Sequence, residues 1–274
     1  MTNRTFFAAV LAACLSAVPI SSGAQGLFGQ KIDFATVYAH AGVPWEGGQR
    51  MAAIRMELKP GWKTYWRSPG ETGIPPHFDW SRSENLASVQ VMWPTPKVFT
   101  TFGAQTIGYE HRVVLPLKLT AEDPSAPIRM RLGLSFGVCE EICVPAFQEV
   151  SLDIPAGAAD DGAYFVKTAM DAAPMTPAEG GLAAHACGVE GAGEERRFSA
   201  ALDFAQTPSS TPVIVAEGPE GVWFSTVSSW MEDGAVLAEG MVRTDPDRWI
   251  DRSALTVTVL GGERAIEING CATG

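Results

Sequence analysis

Two alternating segments joined through a pair of cysteines constrain this chain more than any other feature. Residues 128–136 (IRMRLGLSF) place apolar side chains at 128, 130, 132, 134 and 136, and residues 147–154 (FQEVSLDI) place them at 147, 150, 152 and 154. Between them lies Val138-Cys139-Glu140-Glu141-Ile142-Cys143-Val144-Pro145. Period-two alternation on both sides of a short break predicts a β-hairpin, with the cysteines facing each other across its neck. A disulfide needs Cα atoms about 4.4–6.8 Å apart, which a hairpin neck supplies. A bridge closing only three residues removes little chain entropy from the unfolded state. Redox chemistry or metal binding explains such a dithiol better than stability does.

The compartment follows from the start of the chain. A basic residue at Arg4, an apolar run from Phe6 to Ile20 and small residues at Ser22 and Ala24 describe a signal peptide over residues 1–24, cut before Gln25. A competing lipoprotein box, Leu11-Ala12-Ala13-Cys14, would put a lipid on Cys14. The apolar run before it is very short and apolar residues continue beyond it, so plain export is the favoured reading. No later stretch is long and apolar enough to span a bilayer, and the mature protein is expected to be soluble. The formal net charge is −11. Such an acidic surface argues against nucleic acid and anionic lipid as partners.

Setting Cys14 aside, the five cysteines reduce to Cys139, Cys143, Cys187 and Cys271. An even number in an exported chain suggests two disulfides. The pairing 139–143 with 187–271 is favoured over the two others. A 187–271 bridge closes a long loop and reads as structural, the short one as functional.

The expected fold class is all-β. Alternating runs at 32–41, 50–58, 89–93, 113–119, 128–138 and 147–154, separated by Gly and Pro, predict an antiparallel β-sandwich over residues 25–156. Residues 61–80 (GWKTYWRSPGETGIPPHFDW) read as a long loop pinned by aromatics, or as a wall beside the cysteines. A linker and short helix follow over 157–175, the helix spanning 160–173 and packing through Tyr164, Phe165, Thr168 and Met170. Runs at 198–204, 212–217, 222–228, 235–242 and 254–260, with a Gly-Gly turn inside 255–268, predict a second small β-sandwich over 176–274. Nothing in that second half forms a catalytic constellation, and no nucleotide loop, nucleophile elbow or HExxH zinc motif occurs. Asp245, Asp247 and Asp251 with Arg243, Arg248 and Arg252 read as a solvated loop, and Trp223, Trp230 and Trp249 as core or edge anchors.

Four strings in order, GWKTYWRSPGETGIPPHFDW, WPTPKVF, GYEHRVVLPLKL and FGVCEEICVP, resemble the periplasmic N-terminal domain of the thiol:disulfide interchange protein DsbD, a family that includes the suppressor-of-copper-sensitivity proteins. The resemblance covers about residues 30–155. It implies an immunoglobulin-like fold, a periplasmic location, and a cysteine pair that exchanges with partner disulfides. By that resemblance Cys139 and Cys143 are the catalytic residues, Cys143 attacking the partner and Cys139 resolving. The implied partners are a membrane-embedded electron carrier of the DsbD type and periplasmic thioredoxin-like or disulfide isomerase proteins. In the full-length family this domain is followed by a membrane carrier and a thioredoxin-like domain. Neither is in this sequence, so the reductant is expected from elsewhere.

Residue chemistry leads the same way. A thiolate attacks a disulfide sulfur, and a second thiol resolves the mixed disulfide. Glu140 and Glu141 lie between the cysteines with no adjacent Lys or Arg, and like charge disfavours the thiolate. Strong thiol oxidants do the reverse, so the local sequence fits a reducing relay, of protein-disulfide reductase type and dependent on a partner reductant. Tyr65, Trp66, Phe99, Phe102 and Tyr109 are candidates for a cap over the pair. Two alternatives stand: a Cu(I)-binding or copper-tolerance protein, since soft sulfur suits Cu(I), and a non-catalytic β-sandwich interaction module. The methionines form no Met-x-x-Met cluster and the histidines at 40, 77, 111 and 185 lack zinc-site spacing, so neither a metal site nor a cofactor is expected.

Overall fold

The computed structural model describes residues 34–101, 103–157 and 162–271. The expected leader over 1–24, Cys14 and Phe102 lie outside them. The described residues belong to one compact unit.

In the first half the strands are β1 (Ala35–Pro44), β2 (Arg50–Leu58), β3 (Lys63–Gly70), β4 (His77–Asp79), β5 (Ser88–Val91), β6 (Lys97–Thr101), β7 (Ala104–Glu110), β8 (Arg112–Thr120), β9 (Ile128–Cys139) and β10 (Cys143–Ile154). They form two antiparallel sheets, ordered β1-β2-β8-β5 and β10-β9-β3-β7-β6, with β4 pairing on β9. The fold class is all-β and the first half is an immunoglobulin-like β-sandwich. Alternation along β9 explains the packing. Ile128, Met130, Leu132, Leu134, Phe136 and Val138 are all at most 2% exposed and point into the space between the sheets. Each contributes about 1.5–3 kcal/mol of transfer free energy before ordering costs. Trp66, Ile54, Leu115, Leu117 and Leu119 fill the same core.

The sandwich is closed at its rim by side chains. Gln148 on β10 accepts from the Val37 amide at 3.0 Å and donates to the Ala35 carbonyl at 3.2 Å, tying β10 to β1 across the open edge. Arg50, 3% exposed, donates to the carbonyls of Ile154, Pro124 and Ala126, so its buried guanidinium is hydrogen-bonded at the end of β10.

The stretch 61–80 is not one loop. It contains β3 and β4, and β3 lies at the centre of its sheet. Thr64, Tyr65 and Trp66 are consecutive buried residues, because a central strand is covered on both faces and shows no alternation.

Helix α1 (Ala163–Asp171) follows; of the expected span 160–173, residues 160 and 161 lie outside the described residues, and the helix ends at Asp171, two residues early. It packs through Val166 and Ala169, while Tyr164 is 72% exposed. The Phe165 ring lies tilted at 37° against His40, 4.5 Å between ring centroids. The second half holds β11 (Leu182–Glu190), β12 (Glu195–Phe204), β13 (Val213–Glu217), β14 (Trp223–Phe224), β15 (Ser228–Glu232), β16 (Ala235–Arg243), β17 (Thr256–Leu260) and β18 (Ile266–Asn269). Its sheets run β11-β12-β16-β14, with β15 on β16, and β13-β17-β18. Phe198, Leu202, Val236, Val242, Val257 and Ile268 form a second core. Trp223 and Trp249, 69% and 85% exposed, do not belong to it, so they are not core residues, and Trp223 lies on the edge strand β14. Val215, Leu260 and Ala265 instead join the first core, so an apolar seam links the two pairs of sheets.

Candidate functional site

The β9–β10 hairpin pairs in register from Ile128↔Ile154 to Cys139↔Cys143, leaving Glu140–Ile142 as the connection. Register therefore sets the two cysteines directly opposite each other. Their sulfurs are bonded, with Cα atoms 4.1 Å apart. Cys139 is half-buried, Cys143 is exposed, and Ile142 at the tip is 74% exposed.

The pair opens on a cleft of about 210 Å³ lined by Lys63, Tyr65, Phe99, Thr106, Glu140 and Glu141 among others. Tyr65 Oη lies 2.9 Å from Cys143 Sγ. The bonded sulfur has no proton, so the hydroxyl donates. Burial pushes the Tyr65 pKa up, which keeps that donor protonated. Two glycines make room for its ring. A Cβ at Gly137 would sit 2.8 Å from ring carbons on one side, and a Cβ at Gly73 would sit 2.9 Å from one on the other. The Thr64 hydroxyl donates to the Gly137 carbonyl at 2.8 Å and fastens β3 to β9 beside this slot.

The fold also supplies a cation that the local sequence lacks. Lys63 on β3 is the register partner of Cys139 on β9. Its ammonium sits 4.4 Å from the centroid of Phe99, within cation–π range. The electrostatics read from Glu140 and Glu141 alone are thus incomplete, because a lysine lines the same cleft. Glu140 folds back toward the β2–β3 turn, where a Cβ on Gly61 would meet its Oε1 at 2.6 Å.

Of the cap candidates, Tyr65 and Phe99 adjoin the cysteines. Trp66 is fully buried in the core with the Arg67 guanidinium 4.5 Å from its ring, and Tyr109 is buried with its hydroxyl donating to the Pro94 carbonyl at 2.8 Å. Residues missed by sequence reasoning are Lys63, Gly73 and Gly137, all brought in by strand pairing or chain packing. Among the described residues no group of three or more His, Cys, Asp or Glu side chains gathers in a metal-holding arrangement.

Cys187 on β11 and Cys271 beyond β18 are also bonded, with Cα atoms 4.9 Å apart. They join the two sheets of the second half. Cys187 is 8% exposed and belongs to the second core.

Comparison with known proteins follows the same outline. The family described as thiol:disulfide interchange protein DsbD, N-terminal, matches residues 33–155. The crystal structure of the N-terminal periplasmic domain of ScsB from Proteus mirabilis superposes with a TM-score of 0.66 at 24% identity, covering 88% of this chain and 94% of its own. That likeness is one of fold. The reduced N-terminal domain of DsbD from Neisseria meningitidis is 20% identical over 45% of this chain and 87% of its own, with a TM-score of 0.28, too loose a superposition to compare folds. No curated protein sequence matches significantly. The resemblance carried by the four motifs is therefore a domain match: residues 33–155 fit the DsbD N-terminal family, with an immunoglobulin-like β-sandwich fold.

Proposed function

We propose that this chain is a periplasmic thiol–disulfide exchange protein, in which residues 25–156 form the redox domain, 157–175 a linker and 176–274 a second sandwich. It takes reducing equivalents from a membrane electron carrier of the DsbD type and passes them to oxidised periplasmic thioredoxin-like or disulfide isomerase proteins. The observation that carries this reading is the Cys139–Cys143 bridge at an exposed hairpin neck, with the Tyr65 hydroxyl on Cys143. The family match over residues 33–155 supports it.

Cys143 is the more exposed residue of the bonded pair, and once reduced it attacks the partner disulfide. A mixed disulfide forms between Cys143 and one partner sulfur, while the other leaves as a thiolate and takes a proton. The Cys139 thiolate then attacks Cys143 Sγ. The partner sulfur held in the mixed disulfide leaves as the second thiolate and takes a proton, and the protein ends in the bonded state described above. Two electrons have moved to the partner, and the carrier restores the dithiol by the reverse sequence. A hydroxyl held at Cys143 stabilises its thiolate, and Lys63 opposite Cys139 offsets the two glutamates.

Trapping tests the order. A Cys139→Ser variant, reduced and mixed with an oxidised thioredoxin-like protein, should accumulate a mixed disulfide through Cys143. Cys143→Ser should neither trap nor exchange, and full exchange by that variant would rule the mechanism out. The bridge should have a potential within about −270 to −120 mV, the span between thioredoxin and the periplasmic oxidants. A far lower value would make it an inert staple.

A further inference from the structure

Contacts from the second pair of sheets reach the segment that leads to the dithiol. Strand β6 enters the cleft carrying Phe99, and the chain reaches β6 through Pro94-Thr95-Pro96. This segment is gripped from three directions. The Tyr109 hydroxyl on β7 donates to the Pro94 carbonyl at 2.8 Å. The Thr95 amide donates to the Ala172 carbonyl at the end of α1 at 2.7 Å. The Thr95 hydroxyl accepts from the amide of Ala265, just before β18, at 3.0 Å. Ala265 is 1% exposed, so without that hydroxyl its amide would be a buried donor lacking a partner. Prolines on both sides fix φ at their own positions, and a grip on Thr95 is passed stiffly into β6.

A second clamp acts on β3, the strand that carries Lys63 and Tyr65. Arg67 Nη2 lies 2.9 Å from Glu217 Oε2 and 2.7 Å from Glu267 Oε2, on β13 and β18. Its Nε reaches the Glu217 oxygens at 3.0 and 3.1 Å. Burial pulls the Arg67 pKa down, but the hydrogen bonds and charge of the two carboxylates outweigh it and leave the guanidinium above its ordinary value. Val215, Leu260 and Ala265 complete the contact by joining the first core.

We propose that the second pair of sheets is a positioning element for the dithiol. It holds the β6–β7 hairpin, and with it Phe99, against the Cys139–Cys143 cleft, and Thr95 is the residue through which the hold is transmitted. The importance of that placement rests on the exchange function proposed above. Phe99 held over the cleft narrows access to Cys143, so reagents that are not docked partners meet a slower thiol.

The test uses the full chain, reduced only at 139–143, and two readouts: hydrogen exchange of the β6–β7 amides, and the rate at which iodoacetamide alkylates Cys143. Thr95→Val keeps the shape and removes the acceptor. It should raise both by about fivefold, the equivalent of one lost hydrogen bond of about 1 kcal/mol, while Thr95→Ser restores both. Glu217→Gln with Glu267→Gln should loosen β3 and raise hydrogen exchange of the β7 amides that pair with it, and that exchange serves if Thr95→Val does not fold. Unchanged hairpin exchange and alkylation in a folded variant would overturn the proposal. Iodoacetamide needs no partner, so this outcome is separate from a failure of protein-to-protein exchange.

Discussion

Two disulfides of the same chain sit in opposite settings. Cys139–Cys143 spans a sequence separation of 4 and opens on a cleft, whereas Cys187–Cys271 spans 84 and is anchored in a core. The chain-entropy model gives the long bridge about 4–5 kcal/mol and the short one about 2 kcal/mol or less. The hairpin of β9 and β10 already holds its cysteines in register through twelve-residue strands, so the short bridge adds little that pairing has not fixed. The second-half sheets have no such continuous hairpin between β11 and the chain end, and there the bond carries the closure. A bond that is cheap to open beside an exposed sulfur suits a cycle; a buried one across a long loop suits permanence.

The sharpest way to break this contrast is to remove each bridge in turn. Cys187→Ser with Cys271→Ser should cost about 4–5 kcal/mol in denaturant unfolding. Cys139→Ser with Cys143→Ser should cost about 2 kcal/mol at most. Equal losses would mean that both bridges are structural. A smaller effect probes the slot beside the short bridge. Gly137→Ala should destabilise by about 1–3 kcal/mol through overpacking, because its Cβ would collide with Tyr65 and lie 2.7 Å from Ile74 Cβ. Near-ultraviolet circular dichroism should report the displaced tyrosine. The smallest effect belongs to Tyr65→Phe. The fold should persist, and alkylation of reduced Cys143 at neutral pH should slow about fivefold, as expected for a lost hydrogen bond of about 1 kcal/mol. No change in that rate would remove Tyr65 from the chemistry and leave it as packing.

The hairpin was legible because alternation is a local signal. The runs at 128–136 and 147–154 sit inside β9 and β10, and the run at 50–58 coincides with β2. The immunoglobulin-like fold was legible through the four motifs. Less could be read where burial is two-sided or the side chains are small. β3 was hidden by three consecutive buried residues, and β11 by its run of alanines around His185 and Cys187. At the site, Tyr65 and Phe99 could be named only as members of a longer set. Lys63 escaped altogether, since its proximity to Cys139 is created by the β3–β9 pairing and leaves no trace near position 139.

The register of β9 against β10 has a consequence for recognition. All six inward side chains of β9 from Ile128 to Val138 are locked in the core, and the β9–β10 register that places them runs from Ile128↔Ile154 along the whole hairpin, not through the cysteine pair alone. Oxidised and reduced forms should therefore present nearly the same surface to a passing protein. A partner would have little shape to read and would have to interrogate the sulfur itself. Discrimination between the two forms then lies in whether a covalent link can form after docking, and both forms compete for the same docking face.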